Sequence, residues 1–195
     1  MDNLSAMQDN QKDPHLPTTG RYEAPQGRYE APSSTPVAIP TITIRPLQPG
    51  DEAAFRSLNE EWIGKYFGIE KEDRIVLDDP VGEIILPGGH IFIALANDTP
   101  VGCCALKAME PGVFEVAKMA VREQLRGYGI GRQVLEYTIA QAKLLGVRRL
   151  YLETNNTLQN AIHLYESVGF RHLPPERIHG SLYVRANVFM EMMLA

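Results

Sequence analysis

The chain lacks most of the features that mark secreted, membrane-spanning or disulfide-stabilised proteins. Only two of its 195 residues are cysteine, and these two, Cys103 and Cys104, are adjacent, so they can neither link distant segments nor form a CxxC zinc motif. The longest apolar run, Ile91–Ala96, has six residues, whereas a membrane-spanning helix needs about 20. The first thirteen residues are polar and acidic, without the apolar centre of a secretory signal. We therefore expect a cytoplasmic protein.

Positive charge and metal-ligand patterns are also scarce. The formal net charge is −5, so no overall basic field attracts nucleic acid or an anionic membrane surface. The five histidines show no spacing typical of a metal site. The sequence therefore predicts no nucleic-acid partner, no membrane partner and no metal.

The first 40 residues differ in composition from the rest. They hold six of the 14 prolines and a short tandem repeat, GRYEAPQ at 20–26 and GRYEAP at 27–32. The repeat is either a partner-binding motif used twice or a duplicated piece of linker. Because so few apolar groups cannot offset the entropy of ordering, we expect residues 1–40 to be a disordered, proline-rich tail. Residues 41–195 are expected to form the folded domain.

Hydrophobic periodicity divides the folded part into strands and helices. Alternation of apolar and polar residues indicates half-buried strands, and apolar residues three or four positions apart indicate amphipathic helices. On this basis strands are predicted at 41–45, 91–96, 101–107, 113–121, 150–153 and 184–194, and helices at 52–67, 70–78, 129–146 and 158–168. Several strands come first, and strand–helix–strand–helix–strand follows. This order predicts an α+β fold built round a mixed sheet.

A glycine-rich turn, Arg126–Gly131 (RGYGIG), follows the 113–121 strand and opens the 129–146 helix. Glycines let a backbone approach a bulky anion, and the free N–H groups at a helix start attract phosphate. The two common nucleotide motifs, GxxxxGK[ST] and GxGxxG, are absent, because both require glycine where the chain has Arg132. The turn is therefore either an anion site or a tight connection with a capping role.

This turn and a later segment together resemble two signatures of the GNAT superfamily of acyl-CoA-dependent N-acyltransferases. The pyrophosphate signature is matched by Arg126, Gly129 and Gly131. The later signature is matched by Ala161, Leu164, Tyr165, Glu166, Gly169 and Phe170. The resemblance covers about residues 41–195. It implies a mixed, mostly antiparallel central sheet flanked by helices and splayed at strands 4 and 5 to hold acetyl-CoA, the donor of an acetyl group to an amine.

The resemblance also implies which residues bind the donor. Backbone N–H groups of a bulged fourth strand would stabilise the acyl oxygen, and an asparagine before the 158–168 helix would bond the pantetheine or a phosphate. The family's commonest position for that asparagine is Leu158 here, so Asn155 is the first choice and Asn160 the second; N-capping by Asn156 or Thr157 is the alternative. The implied cofactor-binding set is Met119, Ala120, Val121, Arg126, Gly127, Tyr128, Gly129, Ile130, Gly131, Arg132, Asn155, Asn160 and Tyr165.

Two residues are catalytic candidates for proton transfer. Tyr165, by its place in the later signature, would protonate the departing CoA thiolate, since a neutral phenol with a pKa near 10 can donate a proton. The alternative for it is a tyrosine packed in the core. Glu115, on the fourth strand, would take a proton from the amine, directly or through a water, and the alternative is a solvated or salt-bridged strand residue. Lys118, three residues further along the strand, is expected on the opposite face.

The sequence leaves three functions open. The first is an N-acetyltransferase acting on a small amine or a peptide amine, in which, as in the resembled family, Trp62–Asp73 would shape the acceptor pocket. The second is a non-catalytic acetyl-CoA sensor, and the third is another kind of nucleotide-phosphate binder. We favour the first, with an amine as the partner substrate; it is also compatible with a homodimer. The alternative for Trp62–Asp73 is an amphipathic helix with a solvated acidic end.

Overall fold

The computed structural model describes residues 41–194, whose strands form one seven-stranded sheet. The predicted tail and its repeat lie outside the described residues. The strands are β1 (Ile42–Pro46), β2 (His90–Ala96), β3 (Thr99–Glu110), β4 (Val113–Val121), β5 (Arg149–Thr154), β6 (Arg171–His172) and β7 (Val188–Met193). Their spatial order is β1-β2-β3-β4-β5-β7-β6, and all neighbours are antiparallel except β4 and β5. The predicted mixed, mostly antiparallel sheet is confirmed.

Four α-helices pack against this sheet. They are α1 (Glu52–Tyr66), α2 (Lys71–Asp78), α3 (Ile130–Leu144) and α4 (Gln159–Val168). Each overlaps a predicted helix, because the apolar stripe that packs on the sheet repeats every three or four residues. A single π-helical turn at Val81–Ile85 was not predicted, since five residues are too few to show a period.

Two hydrophobic cores cover the two faces of the sheet. One contains buried residues of α3 and the other contains buried residues of α1 and α2. Cys103 and Cys104 are fully buried in opposite cores, as expected for neighbours in a strand, and both are free thiols. Because β2 is covered on both faces, its sequence is a continuous apolar run rather than an alternation.

The sheet opens between β4 and β5. The two strands pair in parallel over only three positions, from Val113 opposite Arg149 to Glu115 opposite Tyr151. Within the described chain no ladder pair joins them beyond that point, although β4 continues to Val121 and β5 to Thr154. The predicted splay at strands 4 and 5 is therefore present, and it leaves the outer half of β4 with a free edge.

A β-bulge in β4 changes the direction of Lys118. Cys103 and Ala105 of β3 lie opposite Ala120 and Ala117 of β4, so β4 carries one extra residue in this interval. Lys118 lies in this interval, and its left-handed φ of +49° accommodates the extra residue. Its ammonium contacts α2, on the face that Glu115 occupies. The prediction that Lys118 faces away from Glu115 was therefore wrong, because simple alternation fails across a bulge.

The last strand is shorter than predicted. It begins at Val188, not at residue 184, and the four preceding residues belong to a connecting segment. In that segment the backbone N–H groups of Val184 and Arg185 donate to the Glu70 carboxylate, at 2.9 and 3.4 Å, instead of to a neighbouring strand. A carboxylate more than 100 residues away in sequence thus replaces the β-ladder.

Candidate active site

The turn between β4 and α3 exposes its backbone. Gly127 and Gly129 have φ angles of +85° and +79°, a conformation that strains any residue with a Cβ. Within the described chain, a Cβ added at either position would meet no atom within 4 Å. Glycine is therefore needed here for the backbone conformation and not for lack of space, and the open surface is accessible to a ligand.

The start of α3 is an uncapped helix terminus. Gly129 is its N-cap residue, and no side chain among residues 41–194 forms a capping hydrogen bond there. Gln133 N–H donates to Gly129 C=O at 3.1 Å, so the N–H groups before it have no acceptor within the helix. These groups and the positive end of the helix dipole suit an anion, which fits the diphosphate of coenzyme A.

Two arginines flank this turn, both exposed. The Arg126 guanidinium donates to the Tyr66 hydroxyl at 3.3 Å. The Arg132 guanidinium donates to the Ser167 hydroxyl at 2.7 Å, which links α3 to α4. Both can add positive charge to an anion at the turn.

The other residues predicted at the turn lie partly beneath it. Ile130 is buried in the core, so its side chain cannot contact a ligand at the turn. A Cβ at Gly131 would lie 3.6 Å from Met119 Cε, an ordinary contact. Alanine would therefore fit at this position. Tyr128 is exposed.

Tyr165 lies in α4 beside the opening of the sheet. Its ring packs edge-on against Phe170, with the centroids 5.9 Å apart. Burial, and to a smaller extent the Cys104 thiol, raise the pKa of Tyr165, so the phenol is protonated at neutral pH. The Cys104 Sγ lies 3.9 Å from the Ala117 carbonyl, in the part of β4 that no longer pairs with β5. Tyr165 also packs against the same hydrophobic core as Met119 and Val121 of the free half of β4.

The two predicted asparagines have different surroundings. Asn155 uses both polar atoms: Nδ2 donates to the Arg185 C=O at 2.5 Å, and Oδ1 accepts from Thr157 N–H at 2.8 Å. Asn160 is exposed in the first turn of α4. The N-cap residue of α4 is Leu158, so neither Asn156 nor Thr157 takes the capping position that was the alternative.

Glu115 lies in a row of polar side chains that crosses the sheet. Residues in register on neighbouring strands point to the same face. The row is Lys107, Glu115, Tyr151, Glu191 and Arg171. Its centre is where β4 and β5 form their last pair, so Glu115 is at the inner end of the opening.

The Glu115 side chain is only 15% exposed, and Lys107 Nζ lies 4.0 Å from its Oε2. Burial raises the pKa of the Glu115 carboxyl; Lys107 opposes this, and the negative charge of Glu153 adds to it. A carboxylate with a raised pKa is a better proton acceptor than an exposed one.

Glu153 was not singled out from the sequence, yet it is the second acid near Glu115. Tyr151 donates its hydroxyl to Glu153 Oε1 at 3.0 Å, and the Ser181 hydroxyl donates to Oε2. Ser181 Oγ in turn accepts from Tyr183 N–H at 2.9 Å. A carboxylate of β5 therefore holds the segment that precedes β7.

A buried ionic cluster joins this segment to α2 and β4. Asp73 is fully buried and accepts from Arg185 through both guanidinium NH groups at 2.7 Å and from Lys118 Nζ at 2.7 Å. Burial raises the pKa of Asp73, but the bonds from Arg185 and then Lys118 outweigh it and hold the pKa below its usual value. The Tyr183 ring contacts both cations, with its centroid 4.5 Å from Lys118 Nζ and 4.6 Å from the Arg185 guanidinium carbon.

Little in the sequence pointed to this cluster. Its bonds connect residues 45 and 112 positions apart, which no local pattern reveals. The acidic and aromatic content of Trp62–Asp73 was the only signal, and it covers Asp73 and Glu70 but neither cation.

Residues 41–194 lack two other kinds of feature. No three His, Cys, Asp or Glu side chains in this range come together as a metal site would need. None of the helices in the same range is both long and apolar enough to cross a bilayer.

Comparisons with known proteins agree with this geometry. The profile of the Acetyltransferase (GNAT) family matches residues 51–170. A Bacillus subtilis relative, "Uncharacterized N-acetyltransferase YvbK", is 31% identical over 112 residues, which are 56% of this chain and 72% of the relative.

Solved structures share the fold. A GNAT-family acetyltransferase from Staphylococcus aureus superposes with a TM-score of 0.72 at 21% identity, over 80% of this chain and all of the other. A Salmonella typhimurium protein, YncA, solved with acetyl-CoA, has a TM-score of 0.63 at 20% identity, over 80% of this chain and 95% of its own. The chain therefore belongs to the Acetyltransferase (GNAT) family and is an acetyltransferase with acetyl-CoA as its donor.

Proposed function

We propose that this enzyme acetylates the amino group of a small molecule or a peptide, with Glu115 as the base and Tyr165 as the acid. The observation that carries the proposal is the opening between β4 and β5. An uncapped helix terminus that suits an anion lies at its outer end, Tyr165 lies beside it, and the mostly covered Glu115 lies at its inner end. The low cysteine content supports a cytoplasmic location as part of this proposal.

The donor would bind along the free half of β4 and the start of α3. Bound acetyl-CoA supplies an activated acyl group. The N–H groups of 127–131 would hold its diphosphate, with Arg126 and Arg132 beside it. The free edge at Met119–Val121 would supply backbone N–H groups for the acyl oxygen as it gains charge. Asn160 is free to reach the donor, whereas Asn155 would act chiefly by holding the loop.

The acceptor would bind over the polar row, on the face of the sheet that carries Glu115. An alkyl ammonium has a pKa of about 10.4 and must lose a proton before it attacks. Glu115 would accept that proton, and Glu153 adds a second negative charge nearby. Lys118 is already paired with Asp73. Lys107 is therefore the cation that offsets the negative charge of Glu115 and Glu153. This balance favours a cationic acceptor over an anionic one.

Tyr165 completes the proton balance. The C–N bond forms as the C–S bond breaks, and Tyr165 gives its proton to the sulfur that leaves. The proton that the nitrogen loses as the amide forms restores the phenol. Its raised pKa keeps the proton on Tyr165 until this step.

The test is a thiol-release assay with acetyl-CoA and a panel of primary amines and lysine-containing peptides, next to calorimetry with CoA. We expect CoA binding and amine-dependent release of thiol. CoA binding with no release on any amine would instead favour the sensor, and competition by nucleotides as strong as that by CoA would favour a general nucleotide binder.

A further inference from the structure

Lys118 adopts a conformation that is unusual for its residue type. Among residues 41–194, three residues other than glycine have a positive φ: Asn97, Asp98 and Lys118. Asn97 and Asp98 form the hairpin turn between β2 and β3, where such angles are normal. Lys118 stands within a strand, and a long aliphatic side chain rarely adopts this region. Something in the surrounding structure must therefore hold it there.

The side chain of Lys118 is anchored at a single buried point. Its Nζ lies 2.7 Å from Asp73 Oδ1 and donates to the Tyr183 hydroxyl at 2.9 Å. The side chain is only 6% exposed. Asp73 is itself fixed, because it accepts from Arg185 and from the Glu70 backbone N–H at 3.1 Å. The position of the lysine ammonium is thus set by a carboxylate that cannot move independently of α2.

Stability is a poor explanation for this ion pair. Replacing a buried pair by well-packed apolar residues is often neutral or stabilising, because both charges must be desolvated. The pair does, however, select one backbone conformation at Lys118. Turning that residue back to an ordinary strand conformation would send its side chain to the other face and leave the buried Asp73 with one cation fewer.

The conformation at Lys118 decides where the next amides of β4 lie. In a bulge the extra residue is left without a partner on the neighbouring strand. The register resumes at Ala120 opposite Cys103, and Cys103 Sγ lies 3.4 Å from the Lys118 carbonyl. We propose that Lys118 is a positioning residue, whose bond to Asp73 holds the bulge and so directs the Met119–Val121 amides toward the acyl oxygen. This inference rests on the proposed function.

Lys118→Met tests the inference, since methionine fills similar space without a charge. The amide signals of Met119–Val121 and of Gly129 are followed by NMR during titration with CoA and with acetyl-CoA. In the wild type we expect acetyl-CoA to shift the bulge amides further than CoA does. In the variant this extra shift should vanish, while the Gly129 shift and the Kd for CoA stay within about twofold. Turnover on the best amine should fall about 10- to 100-fold, as for a misplaced catalytic group.

Two further variants make the result decisive. Arg56→Met likewise replaces a cation by methionine, in an exposed ion pair with Asp78 of α2, and should alter neither the shifts nor turnover. Tyr183→Phe keeps the ring and the Lys118–Asp73 pair but removes one acceptor of the Lys118 ammonium, so it should weaken the anchor, reduce the acetyl-specific shift without abolishing it, and lower turnover about two- to fivefold. It serves as the test if Lys118→Met does not fold.

The outcomes separate the two proposals. If the variant keeps the acetyl-specific shifts and wild-type turnover, even with a lower Tm, Lys118 is structural only and the inference is overturned. If the wild type itself binds no CoA, the proposed function fails, and the positioning role fails with it.

Discussion

The glycine turn before α3 and the ionic cluster behind Glu115 are the two ends of one opening in the sheet, yet they are built differently. At the turn the important groups are backbone amides, and the surroundings are exposed. A Cβ built at Gly127 or Gly129 would have no atom of residues 41–194 within 4 Å. At the cluster the important groups are side chains, among them a fully buried Asp73 and a nearly buried Lys118.

This difference predicts opposite sensitivities to mutation. The turn should depend on backbone conformation, so that adding a methyl group matters more than removing a charge. The cluster should depend on charge, because losing one partner of a buried pair leaves the other desolvated and unpaired. The substitutions below test this contrast.

The largest effect is expected at Asp73. Asp73→Asn keeps the shape but leaves Lys118 and Arg185 without their shared carboxylate, so the free energy of unfolding should fall by about 3–5 kcal/mol. Urea denaturation at neutral pH measures this. Asp78→Asn is the matched control on the same helix; its pair with Arg56 is exposed, and its loss should change little. Equal losses in the two variants would contradict the contrast.

The pH dependence of the free energy of unfolding is a second test of how much Asp73 stabilises the fold. Its pKa in the folded protein is lowered, so it stabilises the fold above the ordinary aspartate pKa of about 3.9. That contribution is lost as the pH falls through the lower folded value. The stability of the wild type should therefore approach that of Asp73→Asn at acid pH.

The next largest effect is expected at Glu115. Glu115→Gln cannot accept a proton, so kcat/KM for the amine should fall about 10²–10³-fold at neutral pH. In the wild type the acid limb of the kcat/KM profile should lie above the ordinary glutamate pKa of about 4.3, since burial raises the pKa of Glu115. Steady-state rates across pH check both points.

Glu191→Gln is the control for Glu115, because Glu191 lies in the same polar row. The hydrogen bond from Arg177 lowers the pKa of Glu191, which suits a structural ion pair and not a base. An equal loss of rate in both variants would remove Glu115 as the base.

The same contrast explains how much the sequence could reveal. The turn was predictable because its requirements are local: left-handed angles at Gly127 and Gly129 demand glycine, and they lie within a few residues of the strand and helix they join. The order of strands and helices was predictable for the same reason, since periodicity is a local property.

The acceptor side was only partly predictable. Glu115 was found through the family resemblance, but Glu153, Arg185 and Tyr183 were not. Their roles come from contacts across distant segments, such as Val184 N–H to Glu70, 114 residues away. The orientation of Lys118 was mispredicted because an extra residue in β4 is visible only when β3 lies beside it.

Tyr165→Phe should lower turnover about 10²-fold and leave the affinity for acetyl-CoA almost unchanged, because the lost hydroxyl acts on the leaving group. Tyr137→Phe is the control: Tyr137 packs against the same core, edge-on to Phe92 at 5.3 Å. Thiol release measures the rate and calorimetry the affinity. Unaltered turnover in Tyr165→Phe would exclude it from the mechanism.

The smallest effect is expected at Gly129, where a substitution changes the backbone conformation of the turn without changing its charge. An alanine in the left-handed conformation costs about 1–2 kcal/mol, so the unliganded turn of Gly129→Ala should relax away from it. Binding must then restore the strained turn, and the Kd for CoA should rise about tenfold.

Gly146→Ala is the matched control for Gly129→Ala. Gly146 has a φ of +71° beyond the opposite end of α3, and a Cβ there also meets no described atom within 4 Å. Both positions have left-handed angles that strain alanine, but only the one at 129 lies among the amides that face the diphosphate. Calorimetry with CoA should therefore show weaker binding for Gly129→Ala alone, whereas Gly146→Ala should lower the stability and leave the Kd for CoA unchanged. Equal CoA affinities would mean that the donor end does not depend on this backbone geometry, and the contrast between the two ends of the opening would no longer hold.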